Sequence, residues 1–188
     1  MQDKKKYFKY LSTLSYKSYL YRKYFLYPKL FKFMNGKILD LGCGIGDLLQ
    51  YNQNILGVDI NENNIAYCKS IGLNAFLMKE NKIPFNSFFF NTVVMDNVIE
   101  HISDPEEILN EVKRVLKNNG IFIIGVPGIK GFKEDDDHKK FYNINSIKKI
   151  LDDFFVINRY FYTPMNSNLF DRIFRQHCLY LICNKIEK

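Results

Sequence analysis

The chain has 188 residues, 47% of them apolar and 25% charged, which suits one domain with a sizeable core and excludes a disordered, collagen-like or low-complexity polymer. No stretch approaches eighteen consecutive apolar residues, and the Met1-Gln-Asp-Lys-Lys-Lys6 start leads into no signal-peptide apolar region, so a cytoplasmic protein is expected. The formal charge is +7, yet only five of the 27 basic residues are Arg, and Lys, Asn and Ile are abundant everywhere; the charge alone does not choose among phosphates, an anionic membrane and nucleic acid as partner.

The first 33 residues carry a dense aromatic cluster interleaved with Lys, from Tyr7, Phe8 and Tyr10 to Phe31 and Phe33. Helical spacing over residues 4–34 with Pro28 inside it predicts two short helices, one on each side of the proline. Lys37 to Gly42 reads as a strand entering a glycine-rich turn, with a helix resuming at Asp47. Ile55 to Ile60 is a second buried strand, Asn61 an N-cap for a helix to about Ile71, and Gly72 its stop. A third strand follows over Asn74 to Met78 and a fourth over Asn91 to Val98. Asp104-Pro105-Glu106-Glu107 opens a helix running to Lys117, Asn119-Gly120 stops it, and Gly120 to Val126 is a fifth strand ended by Pro127-Gly128. Then come a polar loop at 130–140, a helix over 146–153 capped by Asn145, a β-rich run at 154–162, an irregular segment at 163–176 that is a candidate lid, and a last strand near 178–184. Strand and helix alternate from 37 to about 153, which predicts a parallel sheet with helices on both faces and ligands at the strand C-termini. The last two strands have no helix between them and should pair antiparallel at one sheet edge.

Gly42-Cys43-Gly44-Ile45-Gly46 follows a strand and opens a helix, so its backbone can turn tightly and approach a ligand closely. Asp59, at the end of the next strand, can accept both hydroxyls of an adenosine ribose. A dinucleotide site wants its third glycine one position later, where this chain has Asp47, and a carboxylate there repels a pyrophosphate on the helix dipole. Asp40 adds a further acid beside the loop. The ligand these residues suit carries positive charge, as the ammonium and sulfonium of S-adenosylmethionine do.

At these residues the chain resembles the class I S-adenosylmethionine-dependent methyltransferases. Ile38-Leu-Asp-Leu-Gly-Cys-Gly-Ile-Gly46 is similar to their first motif and Gly57-Val-Asp-Ile60 to their second. Ile83-Pro-Phe85, Val98-Ile-Glu-His-Ile-Ser-Asp-Pro105 and Arg114 through Pro127 resemble, in order, later signatures of the subgroup that includes quinone-biosynthesis and glycan-modifying methyltransferases. The resemblance implies a Rossmann-like α/β fold: a seven-stranded, mostly parallel sheet with an antiparallel last strand and helices on both faces. The resemblance spans roughly residues 36 to 153; with the length and the N-terminal aromatics it leads to the expectation of one methyltransferase domain over 1–188, with an aromatic-basic helical cap at 1–34 and the core at 36–188. It also implies a cofactor-binding set of Asp40, Gly42, Cys43, Gly44, Gly46, Asp59, Ile60, Glu80, Asn81, Met95 and Asp96. In that set Asp40 lies near the methionine amino group, the glycine loop runs under the methionyl part and Asp59 holds the ribose. Met95-Asp96 offer backbone contacts, and Glu80 or Asn81 meets adenine. The chain departs from the family in reading Met78-Lys-Glu-Asn81 where Asp is common, and Phe90-Asn91 where Phe-Asp is usual.

Methyl transfer from a sulfonium is an in-line displacement with a good leaving group, so alignment in a dry pocket supplies much of the acceleration and no catalytic residue is obligatory. A hydroxyl acceptor gains from a general base, and His101 after the fourth strand and His138 after the fifth are the candidates; the competing reading of each is a histidine that braces its loop. His177 reads as structural. Cys43 reads as a small filler, and the four cysteines, lacking CxxC spacing, as reduced thiols. Asp135-Asp-Asp137-His138 reads as a solvated acidic loop, with no metal expected. The expected partner is a small-molecule or carrier-linked acceptor, a saccharide or related metabolite, with nucleic acid disfavoured and peripheral membrane association through the N-terminal segment as an option. The alternatives are a non-catalytic cofactor-, membrane- or partner-binding module, and an RNA methyltransferase.

Overall fold

The apolar runs of the sequence become strands buried on both faces, the pattern of a sheet sandwiched between helices. The computed structural model describes residues 16–186. Seven strands, β1 (Ile38–Leu41), β2 (Leu56–Asp59), β3 (Ala75–Leu77), β4 (Phe90–Asp96), β5 (Leu116–Pro127), β6 (Phe155–Thr163) and β7 (Cys178–Lys185), form one sheet in the order β3-β2-β1-β4-β5-β7-β6. The first five strands pair in parallel, and β7 runs antiparallel to both β5 and β6. The expected antiparallel pair is present at one edge, with β7 inserted inside β6.

Side chains alternate across the sheet, and each parity feeds a different core. Leu39 and Leu41, Val93 and Met95, Phe122 and Ile124, Leu179 and Leu181 face one layer. There they meet Ile108, Leu109 and Val112 of α5 (Glu106–Val115) and Ile147 and Leu151 of α7 (Ile144–Leu151). Ile38, Val94, Ile123, Tyr180 and Ile182 face the other layer. It holds Leu48 and Leu49 of α3 (Asp47–Tyr51), Ile65 and Cys68 of α4 (Glu62–Ser70), and Leu26, Tyr27 and Leu30 of the N-terminal helical run.

That run departs from expectation. Helix α1 (Tyr16–Tyr21), a π-helical turn (Arg22–Leu26) and α2 (Tyr27–Phe31) follow one another directly, with Pro28 in the first turn of α2. Proline is tolerated there because the wider π turn before it absorbs its missing donor and its ring. The aromatics at 7, 8 and 10 lie outside the described residues. Three other boundaries move. Helix α5 stops at Val115 because Leu116 already pairs with Phe90, and the register then shifts before Thr92 meets Ile121. Helix α7 is capped by Asn143 in a capping box with Ser146, two residues before Asn145. The loop after β5 contains a one-turn helix, α6 (Ile129–Lys133). Asn61 caps α4 as expected, its side chain accepting from the Asn63 N–H at 3.0 Å. No helix among the described residues is long and apolar enough to cross a membrane.

Candidate active site

Strand parity sets the site. Asp40 lies in register with Gly57 on β2 and Val94 on β4; Asp59 and Asp96 stand two residues further along those strands, on the same face. Three carboxylates from adjacent strands therefore collect at the C-terminal edge of the sheet, and Asp47 at the start of α3 adds a fourth.

The glycine loop closes over them. Gly42, Gly44 and Gly46 have φ of +80°, +53° and +81°, in the region that favours glycine. A Cβ on Gly42 would stand 2.4 Å from a methyl of Val98. The N–H groups of Gly42 and Cys43 donate to the Val58 carbonyl at 2.8 and 3.0 Å, and that of Gly44 donates to Asp59 Oδ2 at 2.9 Å. The Asp59 carboxylate also accepts from the Asn61 N–H at 2.7 Å and from Asn64 Nδ2 at 3.2 Å. It thus ties the loop to the β2–α4 turn.

Asp40 is treated differently. It is buried and has no hydrogen-bond or ion-pair partner among the described residues. Burial, followed by the charges of Asp96, Asp59 and Asp47, pushes its carboxyl well above the usual range. Burial also raises Asp96, which accepts from the Tyr180 hydroxyl at 2.7 Å and from Asn97 Nδ2 at 3.0 Å. Gly125 makes room for that contact, since a Cβ there would lie 2.4 Å from the Tyr180 ring and 2.5 Å from Asp96. Arg22 reaches in from the N-terminal run, 2.5 Å from Asp47 Oδ2. Its Nε is buried with no hydrogen-bond partner among the described residues.

Beyond β4 a 3₁₀ turn (Ile99–His101) aims a second group inward. Glu100 is fully buried, and neither carboxylate oxygen has a hydrogen-bond partner among the described residues. The rings of His101 and His138 lie 4.6 Å apart, edge to face, and His138 Nε2 lies 3.7 Å from Glu100 Oε1 and 3.9 Å from Asp135 Oδ2. The acidic loop is thus only partly solvated: Asp136 is exposed, but Asp135 and His138 turn inward. Burial, reinforced by neighbouring His138, lowers the His101 pKa below the ordinary imidazole value.

The methyltransferase domain family matches residues 39–124, the stretch that carries the glycine loop, the acid row and the Glu100–His101 turn. The chain is 28% identical over 125 residues to an uncharacterized protein of Methanocaldococcus jannaschii, covering 62% of this chain and 61% of that protein. It is 27% identical over 105 residues to a ubiquinone biosynthesis O-methyltransferase of Pelagibacter ubique, covering 48% of this chain and 41% of the relative. The chain therefore spans about half the length of these curated relatives. The fold superposes on a SAM-dependent methyltransferase from Aquifex aeolicus with a TM-score of 0.72 at 22% identity, covering 99% of this chain and all of that one. Residues 39–124 thus match a methyltransferase domain, set in the fold of S-adenosylmethionine-dependent methyltransferases.

The cofactor this domain family implies is S-adenosylmethionine, and the residues of this chain fit it. A row of buried carboxylates, with Asp40 unpartnered, suits a ligand carrying an ammonium and a sulfonium. The exposed Ile60 beside Asp59 offers an apolar surface for a base. Met95 is wholly buried in the core, which leaves only its backbone for a ligand. The Cys43 side chain packs inward, its Sγ 2.8 Å from where a Cβ on Gly57 would stand. Glu80 and Asn81 sit in a tight turn between Lys79 and Lys82, where Asn81 Nδ2 donates to Glu107 Oε2 at 3.0 Å. All four cysteines are free thiols.

Sequence reasoning passed over Glu100, Arg22 and Tyr142. Glu100 stood beside His101 in a recognised block without a role, and Arg22 was a rare Arg within a Lys-rich segment. Nothing local marked Tyr142, whose buried hydroxyl lacks a hydrogen-bond partner among the described residues and feels the charge of Glu100.

Proposed function

We propose that this chain transfers the methyl group of S-adenosylmethionine to a hydroxyl of a small-molecule or carrier-linked acceptor, a saccharide or related metabolite. The observation that carries this reading is the pairing of two clusters at one sheet edge: an acid row at the glycine loop, and Glu100, His101 and His138 after β4 and β5. The relative from ubiquinone biosynthesis, an O-methyltransferase by name, supports oxygen as the accepting atom.

Bound S-adenosylmethionine supplies an electrophilic methyl and a neutral thioether leaving group. Asp40 meets the ammonium and the glycine loop runs beneath the methionyl chain. Arg22, with a buried donor to spare, meets the carboxylate. Asp59 accepts from the ribose hydroxyls; Ile60 and the Glu80–Asn81 turn border the adenine, and the Met95–Asp96 backbone closes that side. His101 and His138 orient the acceptor hydroxyl and take its proton, with Glu100 beside them to balance the imidazolium charge.

The test is transfer of isotope-labelled methyl groups into saccharide conjugates and catechols, with RNA alongside. Label in a hydroxyl acceptor, lost in Asp59→Ala and Gly44→Val, is the expected result. Label in RNA alone, or full turnover in both variants, overturns the reading.

A further inference from the structure

Glu100, His101 and His138 make a pattern that a proton-relay role alone does not require. One ligand atom from each lies within 4.8 Å of the others, and both carboxylate oxygens of Glu100 are buried without a hydrogen-bond partner among the described residues. A carboxylate in that position needs a cation or a donor, since an uncompensated buried charge is strongly unfavourable. The histidines are already oriented. His138 Nδ1 lies 2.8 Å from the Phe132 carbonyl, a contact that places the ring proton on Nδ1 and leaves the Nε2 lone pair directed at Glu100. His101 hydrogen-bonds the backbone of Asp137, so one loop anchors both rings. Metal-bound histidines are held in this way, with the non-ligating nitrogen donating to a carbonyl or carboxylate that fixes tautomer and direction. The Tyr142 hydroxyl is also buried without a hydrogen-bond partner among the described residues, and it feels the charge of Glu100.

We propose that Glu100, His101 and His138 bind a divalent first-row metal ion of the zinc, cobalt or manganese class. Two imidazoles and one carboxylate are the donor set that such ions take with coordination positions left open. In a tetrahedral zinc site with bonds of about 2.1 Å the ligand atoms stand roughly 3.4 Å apart. The 3.7 Å between His138 Nε2 and Glu100 Oε1 is close to that spacing. Magnesium, which prefers oxygen ligands, fits poorly. The inference rests on the placing of the acceptor at this cluster, and it deepens that reading: the open position takes the acceptor oxygen. With the metal held, the two imidazoles are ligands rather than bases: the metal lowers the hydroxyl pKa, and Asp135, 3.9 Å from His138 Nε2, takes the proton in their place. The oxygen–carbon bond then forms as the sulfur–carbon bond breaks, releasing methyl ether and S-adenosylhomocysteine.

The untagged 188-residue chain, stripped with chelator and dialysed, is titrated with Zn²⁺ by calorimetry and with Co²⁺ by visible absorption. One equivalent should bind, with the d–d bands of an imidazole–carboxylate site and no thiolate-to-cobalt charge transfer. Glu100→Gln and His138→Ala should each weaken binding by more than the roughly 10–100-fold that loss of an outer partner costs; Glu100→Gln keeps the shape of the site should His138→Ala fail to fold. Absence of binding to the parent chain, unchanged affinity in the variants, or thiolate bands overturns the metal site. S-adenosylmethionine is titrated into the same chelator-treated protein: its binding without a metal response removes the metal site alone, and a metal response without cofactor binding counts against the proposed function alone.

Discussion

Asp40 illustrates how one residue trades stability for binding. Its carboxyl is pushed well above the usual range by burial and by three neighbouring acids, so its contribution to stability is complete below the ordinary carboxylate pKa and is lost as pH rises through the folded value. A cation bound beside it favours the carboxylate, so cofactor binding should release a proton and strengthen as pH rises. Titrations of S-adenosylmethionine in buffers of different ionisation enthalpy should show that proton. In Asp40→Asn the proton release should vanish and the affinity fall, while the ligand-free chain melts higher. Gly125→Ala probes the same row from behind: its methyl has no space between Tyr180 and Asp96, so denaturant unfolding should register a loss of about 1–3 kcal/mol. Of this row, Asp40 and Asp59 were legible in the sequence because they lie in the last two positions of apolar strands beside a glycine turn, and Asp96 through the family resemblance. The burial of Glu100 was not, because it depends on the 130–140 loop from far along the chain, whose Lys139 and Lys140 N–H groups donate to the Glu100 carbonyl and whose His138 lies beside its carboxylate.

At the scale of elements, the Ile83–Phe85 block is built into the fold by α5. Glu111 takes a two-pronged contact from Arg114, Nε at 2.6 Å and Nη2 at 2.8 Å, and accepts from the Ile83 N–H at 2.9 Å. Arg114 in turn donates to the carbonyls of Phe85 at 2.8 Å and Ile83 at 3.0 Å. The Arg114 hydrogen bonds lead in holding the Glu111 carboxyl at about 2 rather than 4.5. Its stabilising effect is therefore complete above the ordinary value and is lost as pH falls toward 2. Glu111→Gln should cost about 2 kcal/mol at neutral pH, and its denaturation midpoint should vary less between pH 5 and 3 than that of the parent chain. Two sequence blocks that read as family signatures are thus one clamp, a partnership that linear spacing does not reveal. Element types were legible from periodicity and caps; the boundaries that moved did so where a tertiary partner prevailed. Leu116 paired with Phe90 before the helix pattern ran out, and a π turn carried the helix past Pro28.

For the whole molecule, the two cores on opposite faces of the sheet mean that the N-terminal helical run is part of the fold. Leu30 is fully buried alongside residues of α3 and α4. Arg22 joins the same run to Asp47 at the glycine loop, and Phe33 stacks on Phe161 of the edge strand with ring centroids 5.9 Å apart. Leu30→Ala should destabilise by about 2–5 kcal/mol in denaturant unfolding, in a single transition shared with the sheet; separate melting of the N-terminal run would show an independent cap. The doubly wound architecture was legible because strands buried on both faces are continuously apolar, whereas the packing of Leu26, Tyr27 and Leu30 against α3 was hidden in a segment whose aromatics and lysines also read as a surface. The acid row and glycine loop, as a site for a cationic adenosine ligand, are the feature on which the proposed activity depends. Calorimetric titration of the purified chain with S-adenosylmethionine and S-adenosylhomocysteine, with NAD as control, measures that claim. One site for each of the first two ligands and none for NAD is the expected result; a folded protein that binds NAD, or that binds neither adenosyl ligand, would contradict it.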